Sequence, residues 1–554
     1  MLLSKNITQS PRTTPLSTSN YIPSTLNSMA LLPPDESEVE TLIVNLKNDS
    51  AVGWDSISNR FLKMSKHIIV PHFTSLIKLC FEQGIFPKVF KKALITPVYK
   101  SGARDSITNY RPISVLPALS KILERILNNQ LVNYLETNQL LSSCQFGFRA
   151  GKSTEYAVES LIEYVTTNLD KKQKCVGVFV DLAKAFDTVS IPILLEKIER
   201  YGIRGTVRNI FTDFLTGRQQ RVRIGKYVSC DATVTCGVPQ GSILGPSLFL
   251  LYINDLCQMS LNNGKIFTYA DDTALVFHGE TWDKACQNAE MGLHKAYQWL
   301  NCNLLTLNLA KTTFVQFTNS RKKQPVIKIR LHTCDVSFQH NCSCQDIGRS
   351  TVVKYLGVLV DEKLTWRPHI DMIASRVRKL TWLFKNLRHV ADFKLLLSVY
   401  YALVQSVLSY CIGVWGGSPK THMIHLERAQ RSVLKTMTFK PYRFPTQSLY
   451  DLCKVLSTRQ LFIYLVVIKQ HRSTPYDPNL LRNKRTIISI IPPKKYHSSM
   501  IWRQGSSLAV YLYNKINKIL NFYPLTLREC QKKVRDWLLT LSYEETEKIL
   551  ERII

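Results

Sequence analysis

Residues 266–277 read Ile266-Phe267-Thr268-Tyr269-Ala270-Asp271-Asp272-Thr273-Ala274-Leu275-Val276-Phe277. Two short strand-like apolar runs flank a pair of adjacent carboxylates, which predicts a β-hairpin with the acids at its tip. Like charges side by side in such a run are unfavourable unless solvent or a cation compensates them. A hard divalent ion held by oxygen ligands is the natural compensator. An ordinary polar turn explains a bare Asp-Asp pair as well, so the hairpin alone leaves both readings open.

Upstream, Cys175 to Val180 is an apolar run of the kind expected for a buried strand, and it ends in Asp181, followed by Leu182-Ala183-Lys184-Ala185-Phe186-Asp187. A carboxylate at a strand end facing a two-carboxylate hairpin can share two Mg²⁺ ions with it. Two ions about 4 Å apart stabilise the attacking and departing oxygens in phosphoryl transfer. The competing readings are a helix N-cap for Asp181 and a solvated helix position for Asp187. We favour catalysis for Asp181 and the solvated position for Asp187. Between strand and hairpin lies Cys236-Gly237-Val238-Pro239-Gln240-Gly241-Ser242-Ile243-Leu244-Gly245-Pro246. Its glycines and prolines specify a tight backbone able to approach a flat ligand closely. Leu248 to Leu256 reads as a packed helix, and a plain loop before a core helix is the alternative.

In order, Phe179-Val180-Asp181 with Lys184-Ala185-Phe186-Asp187, the Pro239-Gln240-Gly241-Ser242 loop and Tyr269-Ala270-Asp271-Asp272 resemble reverse transcriptase motifs A, B and C. The resemblance extends to Asn109-Tyr110-Arg111-Pro112-Ile113-Ser114, Gln145-Phe146-Gly147-Phe148-Arg149, Leu307-Asn308 with Lys311-Thr312, and Lys354-Tyr355-Leu356-Gly357-Val358. Together, over roughly residues 36–440, these resemble the polymerases of non-LTR retrotransposons, especially the jockey-like group. The resemblance implies that Asp181, Asp271 and Asp272 are catalytic metal ligands for two Mg²⁺ ions, with Mn²⁺ as a substitute. It implies that Phe186 stacks under the incoming sugar and excludes a 2′-hydroxyl, and that Gln240 and Gly241 line the nucleotide and template site. Lys100 and Arg111 would clamp the triphosphate, and Lys311 would protonate the leaving pyrophosphate. Transferring a phosphoryl group is mostly positioning plus neutralisation of negative charge, which such cations supply.

Composition agrees with a polyanionic partner. Lys and Arg number 72 against 41 Asp and Glu, a surplus of 31 positive charges, and neutralising phosphates releases condensed counterions. The 14 cysteines lack the regular short spacing of a disulfide scaffold, which fits free thiols in a reducing compartment. Leu395 to Gly417 carries no charge and is long enough to span a bilayer. Ser398, Gln405 and Ser409 nevertheless make a polar stripe, so the run reads as a buried helix of a soluble domain. Gly151-Lys152-Ser153 is not a P-loop, because Phe146 stands where its first glycine belongs. His332, Cys334, His340, Cys342 and Cys344 lack two separated ligand pairs and read as an irregular loop rather than a zinc site.

The expected fold is α+β: a right-hand polymerase with fingers, palm and thumb and a helical C-terminal extension. Residues 1–34 are expected to be disordered, 35–320 to form fingers and palm, and 321–364 a strand-rich palm/thumb junction. Residues 365–445 should form a helical basic thumb, with Arg376, Arg378, Lys379, Lys385 and Arg388 on it, and 446–554 the helical extension, with the basic cluster Arg482-Asn483-Lys484-Arg485. The expected partners are template RNA, primer DNA and dNTPs, without a membrane, in an intracellular ribonucleoprotein of nucleus and cytoplasm. Complete relatives carry an endonuclease ahead of the polymerase, so that activity would come from a missing domain or another chain. An inactive or domesticated RNA-binding derivative is the alternative. An RNA-dependent RNA polymerase is disfavoured by Phe186, and the motif wording fits an intron maturase less well.

Overall fold

The structure, a computed structural model, describes residues 25–320, 322–333, 344–477, 490–491 and 506–551. Residues 25–34, expected to be disordered, are laid against the body of the fold. The amide of Thr25 donates to the Arg200 carbonyl at 3.2 Å, that of Met29 to the Gly202 carbonyl at 2.9 Å, and Met29 is buried. Gln130 pairs with both backbone groups of Leu32. Backbone groups that find partners in the body, and Met29 and Leu31 packed on the first core, explain why this proline-containing stretch is held there.

Helices α1 (Glu36–Val44), α2 (Asn59–Met64) and α3 (Lys66–Gln83) come first. Next, β1 (Lys92–Tyr99) and β2 (Tyr110–Val115) form an antiparallel pair with Val98 opposite Arg111. Helices α4 (Ala118–Thr137) and α5 (Thr154–Asp170) lead into β3 (Lys174–Val180). Ser153 caps α5, and Lys152 donates to the Ser143 carbonyl, so Gly151-Lys152-Ser153 serves as a helix start. No helix follows Asp181: residues 183–187 turn, and α6 (Ile191–Arg200) begins only at Ile191 with Ser190 as its N-cap. The N-cap reading of Asp181 and the helical reading of Asp187 therefore both fail.

After α7 (Gly205–Leu215), strand β4 (Gln219–Ile224) joins β1 in parallel and carries the short strands β5 (Tyr227–Val228) and β6 (Ala232–Thr233). Helix α8 (Leu244–Ile253), hairpin β7 (Gly264–Tyr269) and β8 (Asp272–Gly279), helix α9 (Trp282–Cys302) and β9 (Thr313–Phe317) complete the centre. The short strands β10 (Arg330–Leu331), β11 (Gln345–Asp346) and β12 (Gly348–Arg349) follow, then the hairpin β13 (Val352–Tyr355) and β14 (Val358–Asp361). The central sheet has the order β12-β9-β3-β8-β7.

Successive side chains of a strand point to opposite faces, and β3 uses both faces for burial. Val176, Val178 and Val180 join a core with residues of α8 and α9, whereas Cys175 and Phe179 join a second core on the other face. A sheet covered on both sides explains the unbroken apolar run. Gly177 has no side chain because a Cβ there would lie 2.8 Å from the Phe317 ring.

The second core extends into the helices beyond residue 366. Helix α10 (Arg367–Leu387) is followed by α11 (Phe393–Tyr400), a π turn over Tyr401–Gln405, α12 (Ser406–Ser409) and α13 (Ile412–Trp415). The charge-free run is thus not one buried helix. It breaks at the π turn and at Cys411, which is left-handed at φ +51°, and Leu395 remains 54% exposed. The hydroxyls of Ser398 and Ser409 turn back onto carbonyls four residues earlier. Among the described residues no helix is long and apolar enough to cross a membrane. Helix α14 (Lys420–Met437) packs along α10.

Helices α15 (Thr446–Cys453), α16 (Thr458–Ser473), α17 (Ser506–Leu520), α18 (Leu527–Thr540) and α19 (Tyr543–Leu550) close the fold. Capping boxes start α16, α18 and α19. These helices share the core of α10–α14 and the back of the sheet, so residue 445 does not separate two cores. The cluster at 482–485 lies outside the described residues, as do Cys334, His340 and Cys342.

In the first core, Lys197 and Asp255 pair at 2.7 Å, each side chain 1% exposed. Trp299 Nε1 donates to the other oxygen of Asp255, and Lys197 also donates to the Tyr252 carbonyl. Removing one partner of such a pair strands the other charge, at a cost of about 3–5 kcal/mol. Lys197→Met is expected to lose about that much in urea unfolding, far more than Lys66→Met at the exposed Lys66–Glu40 pair. Equal losses would show that the buried pair contributes nothing special.

Candidate active site

Pairing of β3 with β8 runs to Val180 opposite Thr273, and β7 pairs with β8 up to Tyr269 opposite Asp272. That register brings the end of β3, where Asp181 sits, to the start of β8 at Asp272. Ala270 and Asp271 form the two-residue hairpin turn, with Ala270 left-handed at φ +57°, a conformation that ordinarily favours glycine. The three acids are therefore neighbours. Asp272 is pushed up to about 6, first by burial and then by repulsion from Asp271 and Asp181. Burial and Asp181 also raise Asp271, against the pull of Arg111 and Lys100.

Asp181 is held from the 307–312 segment. Asn308 Nδ2 donates to its Oδ2 at 3.0 Å, the Asn308 amide donates to its carbonyl at 2.8 Å, and Lys311 Nζ lies 3.7 Å from Oδ2. The hairpin tip is braced by residues 144–149. The Phe146 amide donates to the Thr268 carbonyl, and Gln145 Oε1 accepts from the amides of Ala270 and Gly147. A Cβ on Gly147 would come within 2.5 Å of the Ala270 nitrogen, so only glycine permits this approach. Arg149 grips Glu136 through Nε and Nη2 at 2.8 and 2.6 Å, anchoring the brace to α4.

The 237–243 loop is clamped on two sides. The amides of Gly237 and Val238 donate to the carbonyls of Val189 and Phe186, and the Ser114 amide donates to the Gln240 carbonyl at 2.7 Å. Gly241 is at φ +112°, where a Cβ would stand 2.6 Å from the Ser114 oxygen. Buried Glu124 accepts from the Ile243 amide at 2.7 Å at the start of α8. Phe186 stacks on Phe249 with centroids 4.2 Å apart and meets the edge of Phe148 at 6.3 Å. Asp187, read from the sequence as solvated, is half-buried and accepts from Gln240 Nε2 at 2.8 Å. Burial raises its pKa and the Gln240 bond opposes that.

The structure thus brings Asp181, Asp271, Asp272 and Lys311 together, with Lys100 and Arg111 acting on the acids from the β1–β2 hairpin. Phe186, Gln240 and Gly241 belong to the adjoining loops. Sequence reasoning missed the work of Gln145, Glu124 and Asp187, and quoted Asn308 without giving it a role. Gln145, Asp187 and Asn308 all stood inside the motifs quoted from the sequence, which was the available signal, whereas Glu124 carried none.

The donor set suits a hard cation. Three neighbouring carboxylates, of which Asp271 and Asp272 are raised partly by the charge of the others, create a demand for positive charge, and oxygen ligands are those Mg²⁺ prefers. Among the described residues no three acidic, histidine or cysteine side chains are closed up as a ready coordination sphere. The fit therefore rests on charge and donor chemistry.

Residues 98–360 match the family model described as reverse transcriptase (RNA-dependent DNA polymerase). The chain is 28% identical over 418 residues to a probable RNA-directed DNA polymerase from transposon X-element of Drosophila melanogaster, covering 74% of this chain and 44% of that protein. It is 27% identical over 423 residues to the RNA-directed DNA polymerase from mobile element jockey of the same species, again covering 74% and 44%. For the probable RNA-directed DNA polymerase from transposon BS, also of Drosophila melanogaster, identity is 27% over 473 residues, covering 83% and 50%. The chain spans about half the length of these curated relatives, or less.

Without a divalent ion, folded Asp272 holds its proton to about pH 6, whereas an ordinary aspartate releases it near 3.8. Through this group the folded state binds more protons than the unfolded state between about pH 4 and 6, so its contribution to stability falls as pH rises through that window. Relative to the unaltered metal-free protein, Asp272→Asn is therefore expected to gain Tm as the pH rises from 4.5 to 7. Mg²⁺ should oppose that fall at pH 7 in the unaltered protein. Identical slopes for both proteins in scanning fluorimetry would contradict this charge balance.

Proposed function

We propose that this chain, which carries a reverse transcriptase domain of the jockey-like non-LTR kind, is an RNA-directed DNA polymerase that extends a primer 3′-hydroxyl with dNTPs. The observation that carries the proposal is the meeting of Asp181, Asp271 and Asp272 at one end of the central sheet. There burial and mutual repulsion push Asp272 up to about 6, and Lys100, Arg111 and Lys311 surround the acids.

In this reading the central sheet is the palm, the β1–β2–β4 sheet belongs to the fingers, α10–α14 form the thumb, and α15–α19 are the C-terminal extension. Asp181, Asp271 and Asp272 would hold two Mg²⁺ ions, which when bound supply Lewis-acid stabilisation of the attacking and leaving oxygens. Lys100 and Arg111 bind the triphosphate charge from the fingers hairpin. Lys311 holds a proton next to Asp181, where the leaving pyrophosphate can take it. Asn308 keeps Oδ2 of Asp181 oriented. Phe186, fixed against Phe249, offers a flat apolar surface to the sugar, while Gln240 and Gly241 line the nucleotide and template site. The outer face of α10, with exposed Arg376, Arg378, Lys379 and Lys385 beside Trp382, which is 71% exposed, suits the phosphate backbone of a primer–template duplex. Such a protein would work in an intracellular ribonucleoprotein of cytoplasm and nucleus.

On a primed RNA template with dNTPs and Mg²⁺, Asn at any one of Asp181, Asp271 or Asp272 should cut extension by about a thousandfold or more, several kcal/mol of barrier. Near-normal extension by Asp271→Asn and Asp272→Asn would defeat the assignment. RNA binding without extension by the unaltered chain would instead point to an inactive RNA-binding derivative.

Phe186→Val should keep DNA synthesis while admitting ribonucleotides about tenfold more readily, a change of about 1.4 kcal/mol in relative transition-state binding. Its stacking on Phe249 means the same substitution also costs roughly 1–4 kcal/mol of stability. Thermal unfolding measured beside dNTP and rNTP incorporation separates the two effects. Lower stability with unchanged sugar preference would leave Phe186 as a packing residue only.

A further inference from the structure

Asp187 and Gln240 come from segments 53 residues apart, yet the carboxylate Oδ1 accepts from Gln240 Nε2 at 2.8 Å. Both ends of this bond are fixed by backbone. The Asp187 amide donates to the Lys184 carbonyl at 2.8 Å in a turn where Lys184 is left-handed at φ +51°. The same turn accepts the Gly237 and Val238 amides at Val189 and Phe186. Cys236 Sγ donates to the Asp187 carbonyl, and a Cβ on Gly237 would stand 2.8 Å from that oxygen. Gln240 is tied through its own carbonyl to the Ser114 amide at 2.7 Å.

With both backbones held within reach, the bond to Asp187 decides which end of the Gln240 amide faces it. An ionised carboxylate accepts hydrogen bonds and cannot donate them, whereas an amide carries two donors at one end and an acceptor at the other. Oxygen against oxygen repels, so the carboxylate admits only the NH₂ end. The carbonyl end, Oε1, is turned the other way.

We propose that Asp187 is a positioning residue that locks the Gln240 amide with its carbonyl oxygen presented to the incoming nucleotide, as an acceptor for a donor on that nucleotide. This rests on the reading above that Gln240 lines the nucleotide site. The negative charge of Asp187 matters here as the absence of a donor. Asn, with the same shape, accepts either end of the amide and so removes the lock without removing volume.

The test is steady-state primer extension by the full chain on a primed RNA template with Mg²⁺, with Tm measured in parallel. Gln240→Ala is expected to raise the dNTP KM about tenfold with a small change in kcat, as for loss of one hydrogen bond to substrate. Asp187→Ala should raise it by a similar factor, and the double variant should match Gln240→Ala within about twofold, because Asp187 acts only through Gln240. Asp187→Asn should give an intermediate rise of about two- to threefold at unchanged Tm, which a purely structural role does not produce. Because it is isosteric, it keeps the idea open to refutation even if Asp187→Ala fails to fold. If Gln240→Ala raises KM while Asp187→Asn leaves it unchanged, or if the two alanine effects multiply, the positioning role is overturned and the Gln240 reading survives. An unchanged KM in Gln240→Ala overturns the Gln240 reading and this inference with it.

Discussion

Three carboxylates are held beside one another at one end of the central sheet, and much of the surrounding structure answers to their mutual repulsion. The β3–β8 register leaves Asp181 and Asp272 as neighbours where the strands run out, and the two-residue turn adds Asp271 beside them. Repulsion of this kind would splay a free hairpin tip. Here the tip is held by the main-chain bonds of Phe146 and Thr268 and by the Gln145 side chain, while Asn308 secures Asp181 separately. Burial and repulsion together keep Asp272 poised near pH 6, a balance that added positive charge tips towards the ionised form.

The bracing segments are themselves anchored at a distance. Arg149 ties the 144–149 brace to Glu136 of α4, and Glu124 of the same helix receives the first amides of α8. One long helix thus sets both the hairpin support and the loop carrying Gln240 and Gly241. On the opposite side of that loop, Ser114 fixes Gln240 from the strand pair that carries Arg111. The proposed nucleotide site is assembled from elements that each touch at least one other by backbone hydrogen bonds, which are costly to leave unmade when buried.

What could be read from the sequence was what repeats locally. The short apolar runs around Asp271 and Asp272 and the run Cys175–Val180 specify strands by their own pattern, and the strand pairing then brings Asp181 to the hairpin. Hydrogen bonds between segments far apart leave no such trace. Gln145 reaching Ala270, Glu124 reaching Ile243 and Asp187 reaching Gln240 span 125, 119 and 53 residues. Asp187 was misread because Leu182-Ala183-Lys184-Ala185-Phe186 has helix-forming composition, while the backbone turns at Lys184. The run from Leu395 was misread as one helix because its break falls at Cys411, a residue with no tendency to mark one.

The central sheet is a party wall: Val176, Val178 and Val180 belong to one core and Cys175 and Phe179 to the other. Neither core has a wall of its own. Helices α15–α19 close the second core rather than hang from it, with Lys469 of α16 paired to Glu159 of α5. Heat or denaturant that loosens either chamber strips the shared strands of half their cover, so the two should melt as one cooperative unit rather than in succession. A protease cut near residue 445 would then release no self-supporting fragment, only a chain with its sheet laid bare on one side.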